Sequence, residues 1–191
     1  GRNNYLDKFD EVLIAEMGAY VNGEIKNMCD FVKPKYGVLT VIGEAHLETF
    51  KTRENICRAK FELIENLNPK GACVLNKDDQ YQVNYVKNEL KNDIKVIWIG
   101  INNKDADFNA SNIKSDKNGM SFDFTYNEEI YTVHTKLLGI HNVYNILAGV
   151  DLFREKSTCV IIDGMDEMRP DWQEVLSVKL KEFTLYNPHC Y

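Results

Sequence analysis

Long apolar runs are missing from this 191-residue chain: none approaches the ~20 residues that a membrane-spanning helix needs, and nothing resembles a signal peptide. Paired cysteines are missing as well. The five cysteines, Cys29, Cys57, Cys73, Cys159 and Cys190, are odd in number, scattered and never spaced CxxC. That pattern argues against a zinc site or a disulfide framework and suits a reducing cytoplasm. There is no basic excess, because 23 Lys and Arg against 29 Asp and Glu leave a net charge of −6. Nucleic acid is therefore not an expected partner, and no membrane insertion is expected. Internal repeats and low-complexity segments are absent. So is Gly-x-x-x-x-Gly-Lys-Ser/Thr, the loop whose backbone amides and lysine hold nucleotide phosphates. The only similar spacing, Gly18-Ala-Tyr-Val-Asn-Gly23, continues into Glu24-Ile25 and lacks both the lysine and the hydroxyl.

What is present is an alternation of short apolar runs and helical patterns. With 44% hydrophobic residues the chain can bury one sizeable core, so one domain plus an appendage is expected. Runs at 11–16, 36–42, 71–76 and 94–99 read as strands, with helical patterns near 22–32, 53–67 and 79–91. This predicts an α/β fold, a mostly parallel sheet flanked by helices. Residues 105–137 switch to polar-apolar alternation around Asn118-Gly119 and Asn127-Glu128-Glu129, which predicts a small antiparallel β subdomain of two or three strands. A helix is expected from His141, with Ile146, Leu147 and Val150 as its apolar stripe. A strand at 158–163 and a helix around 171–183 are expected to open a further domain. The division is then a main domain over 1–153 and a partial C-terminal domain or appendage over 154–191.

In such sheets ligands gather at the carboxyl ends of the strands, where Glu16, residues 43–46 and residues 76–79 fall. Glu16 offers a carboxylate of the kind magnesium takes, although position alone favours a solvated strand-end acid. His46 lies in Gly-Glu-Ala-His-Leu-Glu, and a lone histidine in a turn is more often a surface residue than a ligand. Glu48 reads as local hydrogen bonding. Lys60 sits at the margin of the stripe formed by Ile56, Ala59, Leu63 and Leu67. Partial burial disfavours an ammonium, while a snorkelling lysine whose stem covers the helix edge fits the same position. Asn142 and Asn145, spaced i, i+3, place two amides on one helix face, and an amide matches the N6 and N7 edge of adenine. Asn142 also reads as an N-cap. Asn76, Asp78 and Asp79 follow a strand and read as a turn with an Asx cap for the next helix.

Taken in order, Ala15-Glu-Met-Gly-Ala-Tyr20, His46-Leu-Glu48, Ala59-Lys-Phe-Glu62, Asn76-Lys-Asp-Asp79 and Leu138-Gly-Ile-His-Asn-Val-Tyr-Asn145 resemble the central ATP-binding domain of the Mur ligases. The likeness covers roughly residues 8–153. Within the family, residues 16–24 are most similar to the branch that adds D-alanyl-D-alanine to UDP-N-acetylmuramoyl-tripeptide. The resemblance implies ATP and magnesium as cofactors and those two molecules as partners, in a monomeric protein. ATP would phosphorylate the tripeptide carboxylate, and the incoming amine would displace phosphate from the acyl phosphate. It further implies Glu16, His46 and a carbamylated Lys60 as the metal-binding and catalytic set. Gly139, His141, Asn142 and Asn145 would lie around the adenine, and residues 76–79 would border the nucleotide.

Val160-Ile-Ile-Asp163 followed by Pro170 is similar to the opening of the family's last domain, which would give Asp163 a ribose-binding role with Arg154 beside it. Residues 164–169 depart from the family's Ile-Asp-Asp-x-Tyr-Asn-x-Asn-Pro, and the connection after Phe153 is shorter. The missing phosphate loop implies that it precedes Gly1 and that the chain is an internal piece of a longer ligase, inactive alone. Two other readings stay open. One is a superfamily ligase acting on another peptide or on folate glutamates, and the other is a non-catalytic nucleotide-binding scaffold.

Overall fold

The computed structural model describes residues 13–44, 46–126, 128–154 and 159–163. Eight strands form one sheet: β1 (Leu13–Glu16), β2 (Tyr36–Leu39), β3 (Ala72–Asn76), β4 (Lys95–Gly100), β5 (Phe108–Asp116), β6 (Gly119–Tyr126), β7 (Glu129–Thr135) and β8 (Cys159–Asp163). Their order is β1-β8-β2-β3-β4-β5-β6-β7. The first six in that order are parallel to their neighbours, and β5, β6 and β7 are antiparallel. The helices are α1 (Glu24–Val32), α2 (Leu47–Phe50), α3 (Arg53–Glu65), α4 (Gln80–Asn88) and α5 (His141–Arg154).

Both faces of the central strands are covered, which is why β2 and β3 read as unbroken apolar runs. Successive side chains alternate between two cores. Leu39, Cys73 and Leu75 pack with Ile25, Ile56, Phe61 and Leu63 of α1 and α3, whereas Val38, Val74, Ile97 and Ile99 pack with Val143 and Leu147 of α5. At Gly37 helix and sheet approach so closely that a Cβ would stand 3.2 Å from the Ile64 and Leu63 side chains. The antiparallel strands form as expected and extend the main sheet, since β5 pairs with β4 at Ile99 and Gly100.

The run expected at 158–163 forms a strand, β8, and it joins the main sheet. β8 lies between β1 and β2 and pairs with both, with Ile162 opposite Glu16 and Asp163 opposite Leu39. Its Cys-Val-Ile-Ile run, with no polar alternation, suits an interior strand. The boundary expected at 153/154 lies at the last residue of α5, which ends at Arg154. The helix expected around 171–183 lies outside the described residues.

Helix starts are tied by local caps and by side chains from elsewhere in the chain. Thr52 caps α3 by accepting from Asn55 N at 3.2 Å. At α1 the cap position is Gly23, with φ 92° and no side chain of its own, and Glu62 of α3 takes over by accepting from Gly23 N at 2.6 Å and Lys26 N at 3.1 Å. The glycine spacing at 18–23 therefore leads into a helix start whose N–H groups meet a carboxylate.

Candidate functional site

At the carboxyl edge of the sheet Asn76 fastens the ends of β2 and β3. Its Nδ2 donates to the Thr40 carbonyl, its Oδ1 accepts from Asp78 N, and its own N–H donates to Gln82 Oε1, each at 2.9 Å. Thr40, Asn76 and Gln82 are all buried, so these bonds replace ones otherwise made to water. Asp79 caps α4 through Tyr81 N at 3.0 Å, and its second oxygen accepts from Ile42 N at 2.7 Å. The Asx cap read from the sequence is thus present, with an added tie to the segment after β2.

Asp78 collects four donors. Oδ2 accepts from Ile101 N (2.7 Å), Asn102 N (3.0 Å) and the Tyr144 hydroxyl (3.0 Å), and Oδ1 accepts from Asn103 N (2.8 Å). Burial opposes a charge here, but the backbone donors and the Tyr144 hydroxyl outweigh it and hold the carboxyl below the usual range. A carboxyl depressed in the folded chain adds stability that is fully present above its unfolded pKa of about 4 and is lost as pH falls through the lower folded value. Urea midpoints should therefore decline as the medium is taken from about pH 5 towards pH 3. Asp78→Asn, already less stable at neutral pH, should show a shallower decline, and an unchanged slope would refute this role.

The start of α5 is built on Gly139, whose φ is 98° and where a Cβ would lie 2.6 Å from the His141 ring. Asn142 is 2% exposed and is the second residue of the helix, not its cap. Its Nδ2 contacts the Leu138 carbonyl at 2.9 Å and His141 Nε2 at 3.0 Å, and its Oδ1 accepts from Asn145 Nδ2 at 3.4 Å. The i, i+3 relation expected of the two amides is present, yet they are not equivalent. Asn142 is committed to holding the loop, whereas Asn145 is half-buried one turn further on.

Glu16 is exposed at the end of β1, and His46 stands at the cap position of α2 with φ 61°. The His46 ring lies 4.2 Å from that of Tyr20, which brings the loop after β2 against the loop after β1. Lys60 is half-buried on α3, between the buried Ala59 and Phe61. Every Cα–Cβ bond of α3 tilts towards the helix N-terminus, the end that follows the His46 loop. Among the described residues no three His, Cys, Asp or Glu side chains converge as a metal nest. Magnesium takes oxygen donors and keeps several waters, so Glu16 suits it, while the His46 nitrogen is a poorer match. Asp163 ends β8 at the same edge.

Cys57 and Cys73 offer no activated nucleophile. Cys29, Cys57 and Cys73 are buried. Burial above all, then the Asp79 and Glu89 charges, pushes the Cys57 thiol up to about 12, and burial does the same for Cys73. Sequence reasoning missed the four-donor arrangement at Asp78, the part of Tyr144 in it and the Tyr20–His46 contact. Only the Asn-x-Asp-Asp cluster and the position of Tyr144 between two asparagines hinted at any of them.

An open, mostly parallel sheet with polar loops gathered at its carboxyl edge defines an α/β domain of the ligand-binding kind. Residues 3–153 match the Mur ligase middle domain, and the chain belongs to that family. It is 32% identical over 123 residues to the UDP-N-acetylmuramoyl-L-alanyl-D-glutamate–2,6-diaminopimelate ligase of Chlamydia felis, covering 64% of this chain and 24% of that protein. It is 28% identical over 140 residues to the UDP-N-acetylmuramoyl-tripeptide–D-alanyl-D-alanine ligase of Bacillus subtilis, covering 73% of this chain and 29% of that protein. Among solved structures, MurF from Acinetobacter baumannii superposes with a TM-score of 0.64 at 26% identity, over 71% of this chain and 29% of that one. MurF from Thermotoga maritima, solved with ADP, gives 0.62 at 25% identity, over 71% of this chain and 31% of that one. The chain thus spans 24% to 29% of the length of these two curated relatives. No helix among the described residues is long and apolar enough to cross a membrane.

Proposed function

We propose that this domain serves an ATP-dependent amide ligase of peptidoglycan precursor synthesis, one that joins D-alanyl-D-alanine to UDP-N-acetylmuramoyl-tripeptide. The match of residues 3–153 to the Mur ligase middle domain carries the reading. The stretch 16–24 and the likeness to MurF structures support the choice of substrate. In the reaction the γ-phosphoryl group passes to a tripeptide carboxylate oxygen and ADP leaves. The amine nitrogen then forms the new bond to the carbonyl carbon, the bond to phosphate breaks, and the amine gives up a proton. Phosphoryl transfer of this kind rests on positioning and charge neutralisation.

Asn145 would present its amide to the purine edge, braced by Asn142, His141 and Gly139. Glu16, His46 and a carbamylated Lys60 would hold magnesium, which when bound neutralises charge on the phosphates. Asp163, at the same edge, is assigned to the ribose. Soluble, monomeric action in the cytoplasm belongs to the same reading.

A second reading, addition of 2,6-diaminopimelate, is favoured by the 32% identity to the Chlamydia felis ligase. The deciding assay supplies the full-length gene product with ATP and either UDP-N-acetylmuramoyl-tripeptide plus D-alanyl-D-alanine, or UDP-N-acetylmuramoyl-L-alanyl-D-glutamate plus diaminopimelate. Phosphate release and the expected product mass should depend on the dipeptide. Release only with diaminopimelate selects the second reading. Release with neither, together with no phosphate loop encoded upstream of Gly1, selects a non-catalytic scaffold.

A further inference from the structure

The purine assignment leaves Asp78 and Tyr144 without a role, although together they connect the nucleotide edge to the helix that carries Asn145. We propose that Asp78 is a positioning residue for purine recognition, which acts through the Tyr144 hydroxyl to set the rotation of α5 and hence the direction of the Asn145 amide. This rests on the purine role proposed for Asn145.

The two oxygens of Asp78 join three separate pieces of chain: the turn after β3, the loop that follows β4 at Ile101–Asn103, and α5 at Tyr144. The carboxylate is itself anchored from behind, because Asp78 N donates to the buried Asn76 Oδ1 at 2.9 Å, and Asn76 in turn holds the end of β2. The loop is held from its other side by Asn109, whose Nδ2 donates to the Asn103 carbonyl at 2.9 Å. The carboxylate therefore occupies a fixed point against which a helix can be aligned.

Tyr144 is the residue next to Asn145. Adjacent residues on a helix differ by about 100° in direction, so a tether at Tyr144 fixes the azimuth of Asn145. The second tether, Asn142 Nδ2 to the Leu138 carbonyl at 2.9 Å, fixes the start of the helix. Held at these two points, the first turns of α5 have little freedom to roll or slide. Burial, then the adjacent Asp78 carboxylate, raises the Tyr144 hydroxyl above its usual range, so it remains a donor.

The test uses the full-length gene product. Tyr144→Phe keeps the ring and its packing while removing one hydroxyl. It should raise the KM for ATP roughly 3- to 10-fold, leave kcat and the KM for the peptide substrate within about twofold, and narrow the preference for ATP over GTP. In an Asn145→Ala background the same change should add nothing, since residues that act through one another are not additive. Asp78→Asn is the second variant and should shift the same two quantities in the same direction. An Asn145→Ala effect on nucleotide preference with none from Tyr144→Phe overturns the positioning role alone. Additive effects in the double variant also overturn it. No effect of Asn145→Ala removes the purine assignment and this proposal with it.

Discussion

Replacing Lys60 with alanine should lower the ligase activity of the full-length protein by about 100-fold or more, the scale on which removal of one fixed electrostatic group acts at a phosphoryl or acyl transfer site. Lys60 lies half-buried on α3, with its neighbours Ala59 and Phe61 in the core. Its helix follows the His46 loop in the chain, and the His46 ring contacts Tyr20 in the loop after β1. A cation there would compete with magnesium for the phosphates. An uncharged amine can instead add carbon dioxide and become a carbamate, an anion with two oxygen donors. Acetate or formate should therefore restore part of the activity of Lys60→Ala by supplying a carboxylate to the vacated space. Lys60→Arg should be inactive, because a guanidinium stays positive and cannot form the same adduct. Thermal melts should show both variants folded, since the altered side chain is only half-buried. An active Lys60→Arg enzyme, or the absence of any carboxylate rescue, would sink the carbamate assignment.

The layers of the fold could be read because each signal was local. Unbroken apolar runs at 36–39 and 72–76 marked strands buried on both faces, and Asn118-Gly119 marked a tight turn between antiparallel strands. The placement of β8 could not be read. An apolar run states that a strand is buried but not which strands flank it, and its partners lie more than 100 residues away in sequence. The same limit applies at the site. Asp79 as a helix cap is a two-residue pattern, whereas the donors to Asp78 come from residues 23 to 66 positions further on. The capping of α1 by Glu62 spans 39 positions and has no sequence signature. Asn142 and Asn145 look alike in sequence because spacing fixes a shared face. Which amide is consumed by its own loop depends on Gly139 and Leu138, and only the folded geometry tells them apart.

That difference gives a sharper test of nucleotide recognition than spacing alone. Asn145→Ala in the full-length protein should raise the apparent KM for ATP while leaving the fold intact. A hydrogen-bond pair to a base edge is worth about 1–3 kcal/mol, or roughly 5- to 150-fold. The variant should also discriminate less between ATP and GTP, because guanine presents an acceptor where adenine presents a donor. Asn142→Ala should behave differently. Asn142 is 2% exposed, with its Nδ2 engaged by the Leu138 carbonyl and the His141 ring. Removing it strips partners from buried groups, at a cost of about 1–3 kcal/mol in stability. The loss in nucleotide affinity should then follow from a loosened helix start, with a lowered melting temperature beside it. If Asn145→Ala instead melts the protein and nucleotide preference stays as it was, the amide satisfies the fold and does not read the base.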